Sequence, residues 1–266
     1  MQDYQHPFLN PFPRVCAHRG DSIKYPENTL EAFVSAAELG VDLIESDVHL
    51  SADGECILWH DSTVDRMTDG SGSISSFTLA ELKELDAGWG FSDQTGNFPF
   101  RGRGSRIPTL SETLEALPHT RFNIDLKDKS RRLARRFVDT VYAHQAQHRV
   151  LGASFHYRQV RRVRAMAPEI ITSFAKAEVR IMMIQMMLKL PMTMSRGARI
   201  LQVPVYSGKV RIVTPELVRK LHRRHRFIQV WTINDPEEMK SLLDMGVDGI
   251  ISDDPATLLK VISKEI

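Results

Sequence analysis

Residues 17–61 read AHRGDSIKYPENTLEAFVSAAELGVDLIESDVHLSADGECILWHD. The stretch reads as the end of a strand, a helix, a second strand and a return strand in succession. An apolar run, Arg14 to Ala17, ends at His18-Arg19-Gly20 and predicts a first strand and its loop. Pro26 fixes a turn, and Asn28 or Thr29 can cap a helix with Glu31 close behind. Leu30, Phe33, Ala37 and Leu39 keep a helical period up to a stop at Gly40. Asp42 to Leu50 is a second strand, Ala52-Asp53-Gly54 a hairpin turn, and Cys56 to Trp59 a return strand that delivers His60-Asp61.

Glu45 and Asp47 stand two apart on the second strand, so they project from one face, with Ser46 on the other. Two adjacent carboxylates raise each other's pKa unless a positive charge joins them. A hard divalent cation removes that cost, since Ca2+ and Mg2+ prefer oxygen ligands. The plainer alternative is a solvent-facing pair on an edge strand. The histidines at both ends of the stretch and a later carboxylate favour the metal.

Several pieces in order resemble the glycerophosphodiester phosphodiesterase (GDPD) family. They are HRG at 18–20, PENT at 26–29, Glu45-Ser46-Asp47, Asp53-Gly54 followed by His60-Asp61, NIDLK at 123–127, WTIN at 231–234 and GVDGIISD at 246–253. Each is weak alone; their common order is specific and spans about Arg14 to Leu259. The resemblance implies an α/β fold, a TIM (β/α)8 barrel, as a single domain over 1–266 with an insertion or lid at 62–108. In the family that insertion shapes the glycerophosphate pocket, where Phe91, Phe98 and Phe100 are candidate lining residues; the alternative is that they pack the insertion onto the barrel.

The rest of the chain fits that expectation. Strands are predicted at 121–126, 149–155, 169–174, 199–205, 227–233 and 249–252, alternating with helices. Ser111 is read as the cap of a helix near 108–116 and Ser130 as the cap of a long basic helix. Thr214-Pro215-Glu216 and Asp235-Pro236-Glu237 each join a cap, an N1 proline and an acidic first turn. Such alternation implies parallel pairing, and on a closed barrel chemistry lies where strands end and βα loops begin. His18, Glu45, Asp47, Asp125, Lys127, Ser154, Gln202, Trp231 and Asn234 all fall near such ends.

Composition is that of an ordinary globular protein: 266 residues, 42% apolar, 26% charged and a formal charge of +2. So small a charge does not suggest nucleic acid as a partner. Basic clusters at 131–136, 158–164 and 219–226 read as solvated helix faces, or as attraction to anionic lipid or phosphate. Cys16 and Cys56 read as buried free thiols. No secretory signal and no apolar run of about 20 residues is visible, so the expected location is the cytoplasm, with contact to the inner face of the membrane open.

The family resemblance also implies roles. Glu45, Asp47 and Asp125 are metal ligands for Ca2+ or Mg2+; His18 and His60 are general acid and base; Arg19 and Lys127 contact phosphoryl oxygens; Trp231 stacks on the alcohol or glycerol moiety. Asp61 or Glu27 could orient or charge-balance a catalytic group. The third carboxylate is often glutamate in the family, and Asp125 is shorter, so its direct coordination is the weakest of the three. Either a substrate hydroxyl, through a cyclic phosphate, or water can be the nucleophile. His49 is assigned to the face opposite Asp47, and His119, His144, His148, His222 and His225 to the surface.

Residues 181–194, IMMIQMMLKLPMTM, predict a helix apolar on almost every side. Cover by the chain or by a partner subunit is the plain reading. The sharper reading is peripheral membrane contact or a lysolipid chain, helped by Lys176, Arg180, Lys189, Arg196 and Arg199. The leading function is therefore metal-dependent hydrolysis of glycerophosphodiesters to glycerol 3-phosphate and an alcohol. A lysophospholipase D and a silent barrel that binds lipid head groups are the alternatives.

Overall fold

In the computed structural model, residues 6–12, 14–195 and 197–263 are described. Val15–His18 (β1) pairs in parallel on one side with Leu43–Leu50 (β2), so that His18 lies opposite Glu45. On its other side it pairs with Gly249–Ser252 (β11), which closes the barrel. Cys56–Leu58 (β3) returns antiparallel on the end of β2. The remaining staves are Phe122–Leu126 (β4), Val150–Ala153 (β5), Thr172–Ser173 (β6), Ala198–Val203 (β7) and Phe227–Val230 (β10). Their order around the barrel is β1-β2-β4-β5-β6-β7-β10-β11 and back to β1. This is the predicted eight-stranded parallel barrel.

The helices between staves form where the caps are. Thr29 caps Leu30–Glu38 (α1), Ser130 caps Arg131–Ala143 (α4), Thr214 caps Pro215–His222 (α7) and Asp235 caps Pro236–Asp244 (α8). Each accepts an otherwise orphaned N–H of the first turn. On α4, Leu133, Ala134, Phe137, Val138 and Val141 are buried and the arginines face out. Leu110–Ala116 (α3) is capped by Thr109 in a capping box with Glu112, not by Ser111, which lies inside the helix. The Thr-x-x-Glu spacing decides between two hydroxyls that could both cap. Leu79–Glu84 (α2), Tyr157–Met166 (α5), Lys176–Met187 (α6) and Pro255–Ser263 (α9) complete the set. Several predicted strands are shorter than read, β6 most of all. A small hairpin, Tyr206–Ser207 (β8) with Val210–Arg211 (β9), was not anticipated.

Alternation along each stave sorts the core. Val15, Ala17, Ile44, Val48, Phe122, Ile124 and Ile250 face the helices. Cys16, Leu43, Leu151, Ala153, Ile171, Ile200 and Ile251 fill the barrel interior together with Phe8 and Leu9. Phe12 stacks on Phe227 at 4.3 Å, and Arg121 donates to the carbonyls of Phe8 and Pro11. Both partners stand at strand starts, so residues 6–12 plug the bottom of the barrel. With the bottom apolar and filled, the polar inward residues gather at the opposite mouth.

Residues 62–108 carry an apolar cluster of their own: Val64, Met67, Ile74, Leu82, Ala87, Phe91 and Ile107, joined by Ile57 and Trp59 of the barrel edge. Phe91 and Phe100 meet edge-on at 5.2 Å, and Phe98 lies under the Arg101 guanidinium. These rings pack the insertion and do not line the main cavity. Cys16 and Cys56 are buried free thiols. Among the described residues, no helix is long and apolar enough to cross a membrane.

Candidate active site

A cavity of about 970 Å³ opens at the C-terminal ends of the staves, and His18, Arg19, Glu45, Asp47, His60, Asp125, Lys127 and Trp231 all line it. Every residue singled out for catalysis, metal or substrate thus reaches one space. Asn123, Ser154 and Gln202 line it too, and Trp231 meets Phe155 edge-on at 6.0 Å.

The two imidazoles are built alike. His18 ends β1, and its Nδ1 donates to Asp253 Oδ1 at 2.6 Å. Asp253 is itself held by Asn234 Nδ2 at 2.7 Å. That leaves Nε2 of His18 facing Glu45 Oε2, 3.9 Å away. His60 follows β3, and its Nδ1 donates to Asp61 Oδ1 at 2.7 Å. An Nδ1–carboxylate bond fixes the tautomer and aim of a ring. Burial pulls the His18 pKa down, but the Asp253 bond and the Glu45 charge outweigh it, and the net shift is upward. For His60, burial dominates over the attraction of Asp47, and the net shift is downward.

The carboxylates form a buried row. Glu45 stands beside Asn123, and Asp47 beside Asp125 on the adjacent stave. Burial and then the neighbouring Asp47 push the Glu45 carboxyl up to about 7. Asp47, equally buried, is held below its ordinary range, because Lys127 and Arg19 outweigh its desolvation. Burial raises Asp125 despite Lys127. Lys127 Nζ bridges Asp47 Oδ1 at 2.7 Å and Asp125 Oδ2 at 2.9 Å.

The donor chemistry fits a hard cation. Glu45 Oε2, Asp125 Oδ1 and Asn123 Oδ1 are buried oxygens with no hydrogen-bond partner, a costly state for a polar atom. Among the described residues, however, no three Asp, Glu, His or Cys side chains stand as an assembled metal cage. The Lys127 ammonium occupies the gap between two of the expected ligands, so an ion would share or displace its position.

Arg19 sits at φ 58, a left-handed conformation that costs a non-glycine residue about 1–3 kcal/mol. The loop holds it there through Arg19 N–H to the Glu45 carbonyl and Asn28 N–H to the Arg19 carbonyl, each 3.0 Å. Its Nη1 binds Glu27 at 2.9 Å and its Nε lies 3.6 Å from Asp47. Gly20 follows at φ 90, and a Cβ there would stand 2.7 Å from the Ala32 backbone, which explains a glycine at this turn.

The model of the Glycerophosphoryl diester phosphodiesterase family matches residues 18–257. A glycerophosphodiester phosphodiesterase of Caldanaerobacter subterraneus subsp. tengcongensis is 35% identical over 256 residues, 94% of this chain and 98% of its own. One from Bacillus altitudinis is 32% identical, over 93% and 97% of the two chains. The chain belongs to the glycerophosphoryl diester phosphodiesterase family. Among solved structures, a phosphodiesterase of Oleispira antarctica, in complex with the product sn-glycerol-3-phosphate, superposes with a TM-score of 0.78 at 27% identity, covering 96% and 98% of the chains.

Within this family member, sequence reasoning missed several supports. Asn28, in the PENT motif, accepts from Ser46 Oγ at 2.7 Å and donates to Asp47 Oδ2 at 3.4 Å. Asp253, the last residue of GVDGIISD, is the partner of His18, a pairing that no local pattern carries. His49 was assigned to the wrong face: two residues from Asp47, it shares that residue's side of the strand. It is buried, with Nδ1 on Asp128 Oδ1 at 2.8 Å and Nε2 on the His60 carbonyl at 3.2 Å. The period-2 rule could have found it. His119, His148, His222 and His225 are exposed as expected, while His144 is half-buried against Ser111.

Proposed function

We propose that the protein hydrolyses glycerophosphodiesters to sn-glycerol 3-phosphate and an alcohol by two-histidine acid–base catalysis, with a divalent cation at Glu45, Asp47 and Asp125. The observation that carries this is the pair of imidazoles, each tied through Nδ1 to an aspartate and both lining one cavity with Arg19 and Lys127. A phosphodiester repels an attacking oxygen, and its leaving alkoxide needs a proton. The guanidinium of Arg19 and the ammonium of Lys127 supply positive charge for the non-bridging oxygens. His60, held toward the neutral form, takes the proton of the nucleophile; His18, held toward the protonated form, delivers one to the leaving oxygen. Bound Ca2+ or Mg2+ would polarise the phosphoryl oxygens and offset the buried carboxylates. A barrel that only bound head groups has no use for two aspartate-aimed imidazoles.

The cation is tested by exhaustive chelation. Activity on a panel of glycerophosphodiesters should fall to background and return with Mg2+ or Ca2+. Calorimetric titration of the chelated protein should show one ion per chain, lost in Glu45→Gln. Full activity after chelation, with no binding heat, would leave the charge work to Lys127 and Arg19 and remove the metal from this scheme.

A second reading rests on the far wall of the cavity. Val179, Met183, Ile184, Met186 and Met187 of α6 line it, with Val210 and Ile212 of the β9 strand and the residues after it. The volume is at the upper end of small-molecule sites, larger than a head group alone requires. Ile184, Met187 and Val210 are also 55%, 78% and 59% exposed, so the rim is apolar and faces solvent. Ile181, Leu188 and Leu190 extend the exposed face, with Arg180, Lys189 and Arg211 near by; Arg196 lies outside the described residues. The mostly unburied α6 does not fit simple cover by the chain, since only Met182 of that helix is fully buried.

This wall suits the single acyl chain of a lysophospholipid taken from a membrane surface. In Met187→Ser/Ile184→Ser, the ratio of kcat/KM for lysophosphatidylcholine to that for glycerophosphocholine should fall about tenfold, the worth of ~1.4 kcal/mol of apolar burial. An unaltered ratio, with no co-sedimentation on anionic vesicles, would return the patch to a partner subunit.

A further inference from the structure

Arg66 lies in the insertion, does not line the cavity, and belongs to none of the roles assigned above. Its guanidinium makes three charged hydrogen bonds. Nη1 and Nη2 grip Glu27 Oε2 and Oε1 at 3.0 and 2.6 Å, and Nε donates to Asp61 Oδ2 at 2.6 Å. Glu27 is also the partner of Arg19, and Asp61 is the partner of His60. One side chain therefore closes the path Arg19–Glu27–Arg66–Asp61–His60 between two walls of the site that the barrel strands do not connect directly.

The backbone of Arg66 is seated as firmly as its head. A Cβ on Gly90 would stand 2.1 Å from the Arg66 carbonyl oxygen and 2.7 Å from Met67 Cα, and Gly90 N–H donates to the Met67 carbonyl at 3.2 Å. The insertion thus presses a glycine turn against the segment that carries the guanidinium. A single exposed ion pair is worth little, and the Arg66 side chain is 47% exposed. A fork that holds two carboxylates at once is different: its effect is orientation rather than stability. Lysine, a point charge on a flexible stem, cannot grip both ends of one carboxylate and the edge of another.

We infer that Arg66 is a positioning residue, through which the insertion sets the His60 ring and the Arg19 guanidinium at one spacing across the scissile phosphate. The inference rests on the reading of His60 and Arg19 given above. It gives the insertion 62–108, which lines the main cavity with no side chain and reaches only a smaller one beside His18 and Arg19 through Ser92, Asp93 and Gln94, a part in the site. It also gives Glu27, which holds Arg19, and Asp61, which holds His60, a common function.

The test is a double-mutant cycle on the intact chain. Arg66→Ala should lower kcat on glycerophosphocholine on the order of 10²-fold, the scale on which a misplacement of about 1 Å acts. Arg66→Lys should remain impaired, and added guanidinium ion should restore part of the Arg66→Ala loss. In a His60→Ala background, Arg66→Ala should cost far less than it does alone, because the group it aims is already gone. The same full loss in both backgrounds, or wild-type turnover in Arg66→Ala, overturns the inference. A second readout does not need turnover: the ring 15N and Nδ1–H NMR signals of His60 should shift in Arg66→Ala while those of the His18–Asp253 pair stay put. Unmoved His60 signals in a folded variant overturn it independently of whether glycerophosphodiesters are the substrate.

Discussion

Replacing His18 with alanine is expected to lower kcat on the order of 10²–10⁴-fold, the usual contribution of one proton-transfer group, in a protein whose circular dichroism is unchanged. The ring sits at the end of β1, part-exposed to the cavity, and its removal breaks one bond to Asp253 and no packing of the barrel interior. The pH profile gives the prediction its sign. His60, held below its ordinary value near 6.5, must be unprotonated to accept a proton, so kcat/KM rises with pH through a limb below about 6.5. His18, held above that value, must be protonated to donate, so kcat/KM falls through a limb above about 6.5. His18→Ala should erase the upper limb and keep the lower one. Turnover retained within a few-fold of wild type, with both limbs present, would assign the proton to another group.

Phe122→Ala carries the largest expected cost in stability. Phe122 is fully buried on the outer face of β4, packed against α1 through an edge-on contact of 6.2 Å with Phe33. It belongs to the cluster of Ile44, Leu114, Phe137 and Val150, which ties the staves to the helices. Losing the ring costs its transfer from water and leaves a cavity that rigid strands on both sides cannot close, about 3–5 kcal/mol in all. Against a total of roughly 5–15 kcal/mol, that is a large share. Denaturant unfolding should show the loss as a lower midpoint with an unaltered slope. The residue points away from the mouth, so the surviving folded enzyme should keep its KM. A shift below about 1 kcal/mol would mean that the helix layer relaxes into the space.

How far the chain could be read in advance follows from the range of each interaction. Ser130, Thr214 and Asp235 cap their helices as predicted, and of the two candidates Asn28 and Thr29 it is Thr29 that caps the first, because a cap concerns residues within one turn. Thr109 rather than Ser111 caps α3, because a capping box needs its acidic partner three residues on, and Glu112 stands at that distance from Thr109. Hairpin β8–β9 escaped because two residues per strand leave no period to detect.

By itself the sequence determined the helix starts, the alternation of buried and mouth-facing positions, and the face shared by Glu45 and Asp47, all consequences of local backbone periodicity. The tertiary structure alone decided who holds whom. His18 and Asp253 are 235 residues apart and meet only because β11 closes onto β1. Arg66 and Glu27, 39 apart, meet only because the insertion folds back over the first βα loop. Periodicity states which way a side chain points; closure of the barrel states what it finds there.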